Sequence, residues 1–290
     1  MGPYEYQFLL LAAISFVAGA IGSLMGLGGG IIIVPVMTLF FHIDFRLAAG
    51  ASLIAIIATS SGAAVTYVRS HLSNIRVGMF LEILTTSGAI SGALLAGRFA
   101  DSLLFIAFSL ILVYSLFPNG RKILEALRGR EPDAATTVAS DPGFLVKALK
   151  LDGRYYDESL GKEIVYGVRR VPLGAFVMYL AGLASGLLGI GSGAFKVLAM
   201  DSIMGMPVKS STATSNMMIG VTAAASAGIY FLRGDIDPYI AAPVALGILA
   251  GSLAGTRIMP RISSLSLRII FFAVIAVISI QMLLRGLGLA

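Results

Sequence analysis

Cysteine is absent from this sequence of 290 residues, and histidine occurs only twice. The absence of cysteine excludes disulfide bonds, since each bond needs two thiols. Two histidines without cysteine leave no credible ligand set for zinc, haem or an iron–sulfur cluster. We therefore expect no metal and no cofactor.

Charged residues are also scarce: they make up 12% of the chain, whereas 57% is hydrophobic and the mean hydropathy is +0.92. This composition indicates an integral membrane protein. The charge is concentrated, because 18 of the 36 charged residues lie in residues 119–171. The isoelectric point near 9.6 reflects loops beside acidic lipid headgroups, so we expect membrane lipid and no nucleic acid as a partner.

The sequence contains an internal repeat. Residues 18–37 (AGAIGSLMGLGGGIIIVPVM) align without a gap with residues 181–200 (AGLASGLLGIGSGAFKVLAM), and 8 of the 20 positions are identical. Duplicated membrane halves usually meet around a central pathway, and both copies centre on a run of glycines. The repeat therefore favours a transporter.

Apolar runs divide each half into five segments. They are predicted near 7–25, 29–41, 47–68, 77–97 and 102–117, and again near 172–190, 193–205, 210–232, 239–256 and 266–284. The second segment of each half has about 13 residues, below the roughly 17–25 that cross a bilayer, so it is predicted to be a half-helix or re-entrant. If the short segment and the segment before it both cross the bilayer, or together form a re-entrant hairpin, each half has an odd number of crossings and the halves have opposite orientations. The exception is exactly one re-entrant segment in each half.

This pattern predicts an all-α polytopic membrane protein with two inverted-topology helical repeats. The first repeat occupies residues 1–118 and the second residues 172–290, and each contains a short helix broken off by glycines. Residues 119–171 form the linker between them. Tyr155, Tyr156, Ile164, Val165 and Tyr166 flank an ESLGK turn, which predicts a small β-hairpin. The linker is either a tether or a regulatory docking element.

Basic residues indicate the orientation, because Lys and Arg collect in short cytoplasmic loops. With ten alternating segments, sixteen basic residues fall on the side of the linker and four on the other, namely Arg46, Arg98, Arg233 and Arg285. The linker and its hairpin are therefore predicted to be cytoplasmic, and both termini outside. Most of this bias comes from the basic residues of the linker itself, since without them six basic residues fall on the linker side and four on the other.

The glycine runs allow positive φ and close backbone approach. They comprise Gly26, Gly28, Gly29 and Gly30 in the first copy, and Gly189, Gly191 and Gly193 in the second. A helix that begins at such a break inside the membrane presents unpaired N–H groups, which favour anions. The alternative is tight helix packing by small residues. A phosphate-binding loop is disfavoured because neither run is followed by GKS or GKT.

Four motifs resemble the TauE/SafE sulfite exporter family, also called the TSUP family of membrane anion transporters: GLGGGIIIVP at 26–35, RLAAGAS at 46–52, GIGSG at 189–193 and KSSTATSN at 209–216. With the hydropathy and the duplication, the resemblance covers essentially the whole chain. It implies transport of sulfite, sulfoacetate or related sulfur-containing anions across the bacterial inner membrane. Ser192 and Leu198 replace Gly29 and Pro35 in the second copy, so we expect its half-helix to be less sharply broken.

Lys196 occupies the position of Ile33 in the second copy, inside an apolar segment. A central lysine costs about 2.5–3.5 kcal/mol on insertion scales, so it should be paired, water-facing or functional. We interpret it as the residue that attracts the anion. The alternatives are snorkelling or a fixed pair with Asp201.

An oxyanion also needs hydrogen-bond donors. Ser52 aligns with Ser215 and Thr59 with Thr222, seven positions apart on one helix face in each half, although such hydroxyls also bond to their own helix. The predicted substrate site consists of Gly28, Gly29, Gly30, Ser52, Gly191, Ser192, Gly193, Lys196, Thr212, Ser215 and Asn216, with Glu82 and Asp201 as coupling or gating candidates.

The sequence thus predicts a secondary transporter that exports a small sulfur-containing anion by alternating access, with proton coupling as an open question. The alternative is an anion-selective channel, which would use the same glycines and lysine. An enzyme is disfavoured because no nucleophile with a base, and no metal set, is visible. A non-transporting scaffold would tolerate Lys196→Met, and a homodimer is a candidate assembly.

Overall fold

A computed structural model of the chain describes residues 3–96, 98, 101–128, 144–189 and 191–289. The first half contains α1 (Pro3–Met25), α2 (Gly30–Phe40), α3 (Phe45–Arg69), α4 (Ile75–Leu95) and α5 (Asp101–Leu127). The linker contains α6 (Phe144–Leu149), β1 (Gly153–Asp157) and β2 (Lys162–Tyr166). The second half contains α7 (Val171–Leu188), α8 (Gly193–Leu198), a π-helical turn (Ala199–Ile203), α9 (Val208–Leu232), α10 (Pro238–Ile258), a 3₁₀ turn (Met259–Arg261) and α11 (Ser264–Gly286). The predicted linker segment at 129–143 lies outside the described residues.

The helices form a multi-pass membrane protein. In the described part of the chain, seven helices are long and apolar enough to cross a membrane, namely α1, α3, α4, α7, α9, α10 and α11. The two predicted short segments are confirmed as short, because α2 has 11 residues and α8 has 6 before its π-helical turn. One predicted boundary is wrong: α5 continues to Leu127 instead of ending near 117, so the start of the expected linker is helical.

Side-chain caps are present on four long helices and absent from α7, α9 and both short helices. Asp44 accepts a hydrogen bond from the Arg46 N–H at the start of α3, and Asn74 accepts one from the Val77 N–H at the start of α4. Asp237 and Ser263 cap α10 and α11 in the same way. No side chain caps the first turn of α2 or of α8. Both short helices therefore begin with N–H groups that no cap covers.

Glycines hold the outer helices of the two halves together. A Cβ atom on Gly182 of α7 would collide with the carbonyl oxygen of Thr85 in α4, and one on Gly186 would collide with that of Ala89. The two sequences advance in the same direction along this contact, so α4 and α7 are parallel. Gly247 and Gly251 of α10 approach Ala12 and Phe16 of α1 in the same manner, so those helices are parallel as well.

The centre of the molecule is the contact between α3 and α9. Gly50, near the start of α3, lies against Asp235 just beyond the end of α9, whereas the N–H of Asn74, just beyond the end of α3, donates to the Thr214 hydroxyl near the start of α9 at 2.9 Å. The two helices therefore run antiparallel. Exchange of the halves converts the α1–α10 contact into α7–α4 and leaves α3–α9 and α5–α11 unchanged, so the packing follows the repeat.

The linker contains an antiparallel hairpin at the predicted position, with Tyr155 opposite Ile164. Its turn is docked by Lys209, whose Nζ lies 2.7 Å from Asp157 Oδ1, 2.9 Å from Ser159 Oγ and 3.2 Å from the carbonyl oxygen of Pro260. Lys209 and Asp157 are both 1% exposed. Burial would raise the pKa of the Asp157 carboxyl, but hydrogen bonds from Lys209 and Ser159 outweigh it and hold that pKa below its usual value.

The hairpin also touches both halves of the membrane domain. The Tyr166 hydroxyl lies 2.7 Å from the Ser210 hydroxyl at the start of α9 and 3.2 Å from Asn74 Nδ2 in the α3–α4 turn. Burial raises the pKa of this phenol. The linker is therefore packed against the helices as well as joining them, while the side of the membrane on which it lies stays a prediction.

We expect Gly182→Ala to destabilise the protein, because the added methyl group collides with backbone that cannot rotate away. Overpacking typically costs about 1–3 kcal/mol. Gly228→Ala in α9 is the matched control, since nothing lies within 4 Å of an added Cβ there. Thermal melting of the helical circular dichroism signal in detergent should give a lower Tm for Gly182→Ala and no loss for Gly228→Ala; equal melting temperatures would contradict this packing.

We expect Asp157→Asn to destabilise the protein at neutral pH by about 3–5 kcal/mol, because Lys209 would remain buried without its partner. The pKa of Asp157 is lower in the folded than in the unfolded chain, so its contribution is present above the unfolded value of about 3.9 and disappears as the pH falls through the folded value. Melting curves of the two proteins should therefore converge in acid. Glu163→Gln, which alters an exposed pair with Arg154 at 3.7 Å, should leave the curve unchanged.

Candidate functional site

Two glycine turns interrupt the helices as the sequence predicts. The backbone adopts positive φ at five glycines, with values of 73° at Gly26, 72° at Gly28, 73° at Gly29, 65° at Gly189 and 74° at Gly191. A side chain at these positions would be strained, which is why the turns need glycine. The turns differ at one position, because Ser192 has φ −96° where Gly29 has a positive φ.

The two turns meet in the middle of the protein. Gly193 packs directly on the backbone of Gly26 and Leu27. The Ser215 hydroxyl lies 2.7 Å from the Gly26 carbonyl oxygen and 3.4 Å from that of Gly193, so one side chain of α9 contacts both turns. The side chain of Ile56 in α3 fills the space between the turns, where it packs against Gly28, Gly30 and Gly191.

Four predicted site residues have buried polar atoms without a hydrogen-bond partner in the described part of the chain: Ser52 Oγ, Ser192 Oγ, Thr212 Oγ1 and Asn216 Oδ1. Ser52 Oγ faces Gly30, and Thr212 lies beside Gly26. A buried polar group left unpaired costs about 1–3 kcal/mol. Other unpartnered hydroxyls occur, such as that of Ser15 in the α1–α10 contact, but these four gather at the glycine turns.

Other polar groups that the sequence singled out do have hydrogen-bond partners in the protein. Thr59 donates to the Gly28 carbonyl oxygen at 3.1 Å, so it supports the first turn. Asn216 Nδ2 donates to the Ser23 carbonyl oxygen at 2.7 Å, near the end of α1. Thr222, which aligns with Thr59, instead contacts Lys196 and Glu82. The aligned threonines therefore differ in their contacts: Thr59 binds a glycine turn, and Thr222 binds an ion pair.

Lys196 is completely buried and forms an ion pair with Glu82, at 3.0 Å between Nζ and Oε2. The Thr222 hydroxyl accepts a hydrogen bond from Lys196 and donates one to Glu82. This contact joins α4 of the first half to α8 and α9 of the second. Both alternatives considered from the sequence, snorkelling and a pair with Asp201, are therefore wrong. Opposite charges inside two apolar segments were the signal that could have predicted the pairing.

Asp201 lies in the π-helical turn after α8 and belongs to a separate cluster. Its carboxylate accepts two hydrogen bonds from Arg268 of α11, each 2.8 Å long, and its Oδ2 lies 2.8 Å from Lys122 Nζ of α5. The Arg268 side chain is 2% exposed. The cluster joins α5 of the first half to the second half. A gating role for Asp201 stays a prediction.

The described residues do not offer a metal centre: no three His, Asp or Glu side chains are grouped as ligands in that part of the chain. A cavity of about 860 Å³ lies at a different place, between the α3–α4 turn and the hairpin. Its lining includes Ser73, Arg76, Arg154 and Tyr156. It is therefore separate from the glycine turns and lies on the linker side of the molecule.

Comparison with known proteins gives a consistent result. Residues 11–282 match the family model described as sulfite exporter TauE/SafE. The chain is similar to the probable membrane transporter protein YunE of Bacillus subtilis, with 24% identity over 288 residues that cover 97% of this chain and 99% of the relative. It is also similar to the probable membrane transporter protein MJ0441 of Methanocaldococcus jannaschii, with 26% identity covering 97% of this chain and 98% of the relative.

A third relative is longer. The chain is 25% identical to the probable membrane transporter protein MamO of Magnetospirillum gryphiswaldense and covers 98% of itself but 46% of that protein. No solved structure matches the chain significantly. Because the family model covers nearly the whole chain and the described helices form a polytopic membrane domain, the chain belongs to the TauE/SafE sulfite exporter family of membrane transporters.

Proposed function

We propose that this protein is a secondary transporter that exports a small sulfur-containing anion, such as sulfite, sulfoacetate or a related organosulfonate, across the bacterial inner membrane by alternating access. The observation that carries the proposal is the group of unpartnered buried polar atoms at Ser52, Ser192, Thr212 and Asn216, around two helix breaks. The family description points to the same class of substrate.

An oxyanion suits this group of atoms. A sulfonate has three acceptor oxygens, and the Ser52, Ser192 and Thr212 hydroxyls are three donors without other partners in the described part of the chain. The uncapped first turn of α2 adds N–H groups and the positive end of an 11-residue helix. Lys196 lies one helical turn beyond Gly193, where Glu82 balances its charge. The site therefore favours an anion with several oxygens.

We infer that the two halves are inverted repeats. Ser52 in α3 and Ser215 in α9 are equivalent positions of the repeat, and the helices that carry them run antiparallel at the centre of the molecule. Equivalent helices that run in opposite directions are what an inverted repeat requires. The substrate site then lies where the two halves meet.

We place the linker in the cytoplasm and both termini outside. Contacts of Lys209 with Asp157, of Asn74 with Tyr166 and of Arg76 with the Lys150 carbonyl oxygen bring the linker and two helix turns to one face. The sequence count of basic residues favours the side of the linker by sixteen to four, and such residues collect on the cytoplasmic side.

The burial of the site favours a carrier over the alternative, an anion channel. The side chains of Ser52, Ser192, Lys196, Thr212, Ser215 and Asn216 are each at most 1% exposed. Ile56 fills the space between the turns. An anion reaches these groups only when the halves move apart, whereas a channel needs a continuous path. We therefore propose that each half-cycle opens the site to one side of the membrane.

Counterflow of radiolabelled sulfite and sulfoacetate in proteoliposomes tests the proposal. We expect saturable exchange by the parent protein. Thr212→Val should reduce exchange by about tenfold, equivalent to one lost hydrogen bond to a charged ligand of about 1.4 kcal/mol. Its Tm should be unchanged, because the Thr212 hydroxyl has no partner in the described structure to lose.

Ser15→Ala is the matched control, because Ser15 is equally buried and unpartnered but lies in the α1–α10 contact. It should exchange anions at the parent rate. Absence of exchange for every anion tested would reject the transport assignment. Equal exchange by Thr212→Val and Ser15→Ala would move the site away from the glycine turns, and uptake that does not saturate would favour the channel.

A further inference from the structure

The ion pair between Lys196 and Glu82 is the most unusual buried contact between the two halves. The Lys196 side chain is 0% exposed and that of Glu82 is 12% exposed. Their charged atoms are 3.0 Å apart, and the Thr222 hydroxyl contacts both. Lys196 was expected to meet the transported anion, but in this structure a carboxylate of the protein itself is bound to it.

A carboxylate and a sulfonate are both oxyanions, and each competes for the same ammonium group. We propose that Glu82 and Lys196 form a proton-controlled switch, in which protonation of Glu82 releases Lys196 to the transported anion, so that a proton and an anion cross the membrane together. The switch operates only if the chain transports anions as proposed. To that proposed function the switch adds the coupling ion, a proton, and the residue that binds it, Glu82.

Electrostatics leaves this site two favourable states. In the empty state the Glu82 carboxylate neutralises Lys196. In the loaded state a singly charged anion neutralises Lys196, and Glu82 carries a proton. An anion beside ionised Glu82 would leave a buried excess of negative charge, and protonated Glu82 without an anion would leave Lys196 unpaired. Because both other combinations bury an uncompensated charge, movement between the two sides is coupled to the proton.

Apart from Lys196 itself, the described residues of α4, α7 and α9 offer no competing acid or base to Glu82. On α4 itself the other ionisable residue is Arg76, which contacts the Lys150 carbonyl oxygen. The only ionisable side chain in α7 is that of Tyr179. In α9, Lys209 is bound to Asp157, and the Tyr230 hydroxyl donates to the Gly186 and Leu187 carbonyl oxygens. Glu82, the more exposed member of its pair, is therefore where the proton binds.

The proton balance is simple. Glu82 takes one proton from the aqueous side to which the site is open, and the anion binds Lys196 from the same side. After the halves move, the anion leaves, Glu82 releases the proton and the ion pair re-forms. Such a transporter exports when the outward anion gradient exceeds the opposing pH gradient, so the pair sets the coupling and the gradients set the direction.

Proteoliposomes that contain a trapped pH dye test the switch on the parent protein. An inward gradient of radiolabelled methanesulfonate, an organosulfonate with one negative charge, should acidify the lumen as the radiolabel enters, since its sulfonate stays ionised at neutral pH and brings in no proton of its own. Uptake without acidification, in a protein that performs counterflow, would overturn the switch and leave anion transport intact. Absence of counterflow for every anion would overturn both proposals.

Glu82→Gln separates coupling from binding, because glutamine resembles the protonated carboxyl. We expect its methanesulfonate uptake to occur without acidification, and its apparent affinity at about pH 8 to exceed that of the parent by about 5- to 150-fold, the usual range of coupling between two ligands. Lys196→Met should lose exchange. Glu163→Gln, an exposed hairpin position, should behave as the parent does. Proton movement retained by Glu82→Gln would contradict the assignment of Glu82.

Discussion

Breaking two helices inside a membrane protein exposes backbone groups that water does not reach, and the rest of this structure depends on how they are satisfied. The first break receives hydrogen bonds from α9 of the second half and from α3 of its own half. Ser215 of α9 donates to the Gly26 carbonyl oxygen of the first turn, and Asn216 donates to Ser23 at the end of α1. Tyr67 of α3 donates to the same Ser23 oxygen at 3.0 Å. Both halves therefore supply donors to the first turn and to the helix end before it.

The same constraint governs the charges. Three buried cations in the described part of the chain, Lys196, Lys209 and Arg268, each lie within 3.0 Å of a carboxylate oxygen. Buried pairs add little stability beyond an apolar contact, but loss of one partner is costly. Of these three pairs, that of Lys196 in α8 with Glu82 in α4 joins the two halves. Its partners separate if the halves move apart.

Local patterns explain what could be predicted. Apolar runs located the helices, glycine runs located the breaks, and alternating aromatic and polar residues located the hairpin, because each feature depends on neighbours in the sequence. The end of α5 was missed, since the apolar run stops near 117 while the helix continues to Leu127. Hydrophobicity reports where a segment leaves an apolar environment, and a helix does not have to end there.

The sequence by itself determined the membrane character, the duplication, the two short helices and the residues gathered at the glycine turns. Only the tertiary structure decided the partners of the charges. Lys196 and Glu82 are 114 positions apart, Arg268 and Asp201 are 67 apart, and Lys209 and Asp157 are 52 apart. A lysine in an apolar segment predicts that some partner exists, because an isolated charge is too costly there. Which carboxylate reaches it depends on how the helices pack, and small residues such as Gly182 and Gly251 set that packing through contacts with distant parts of the chain.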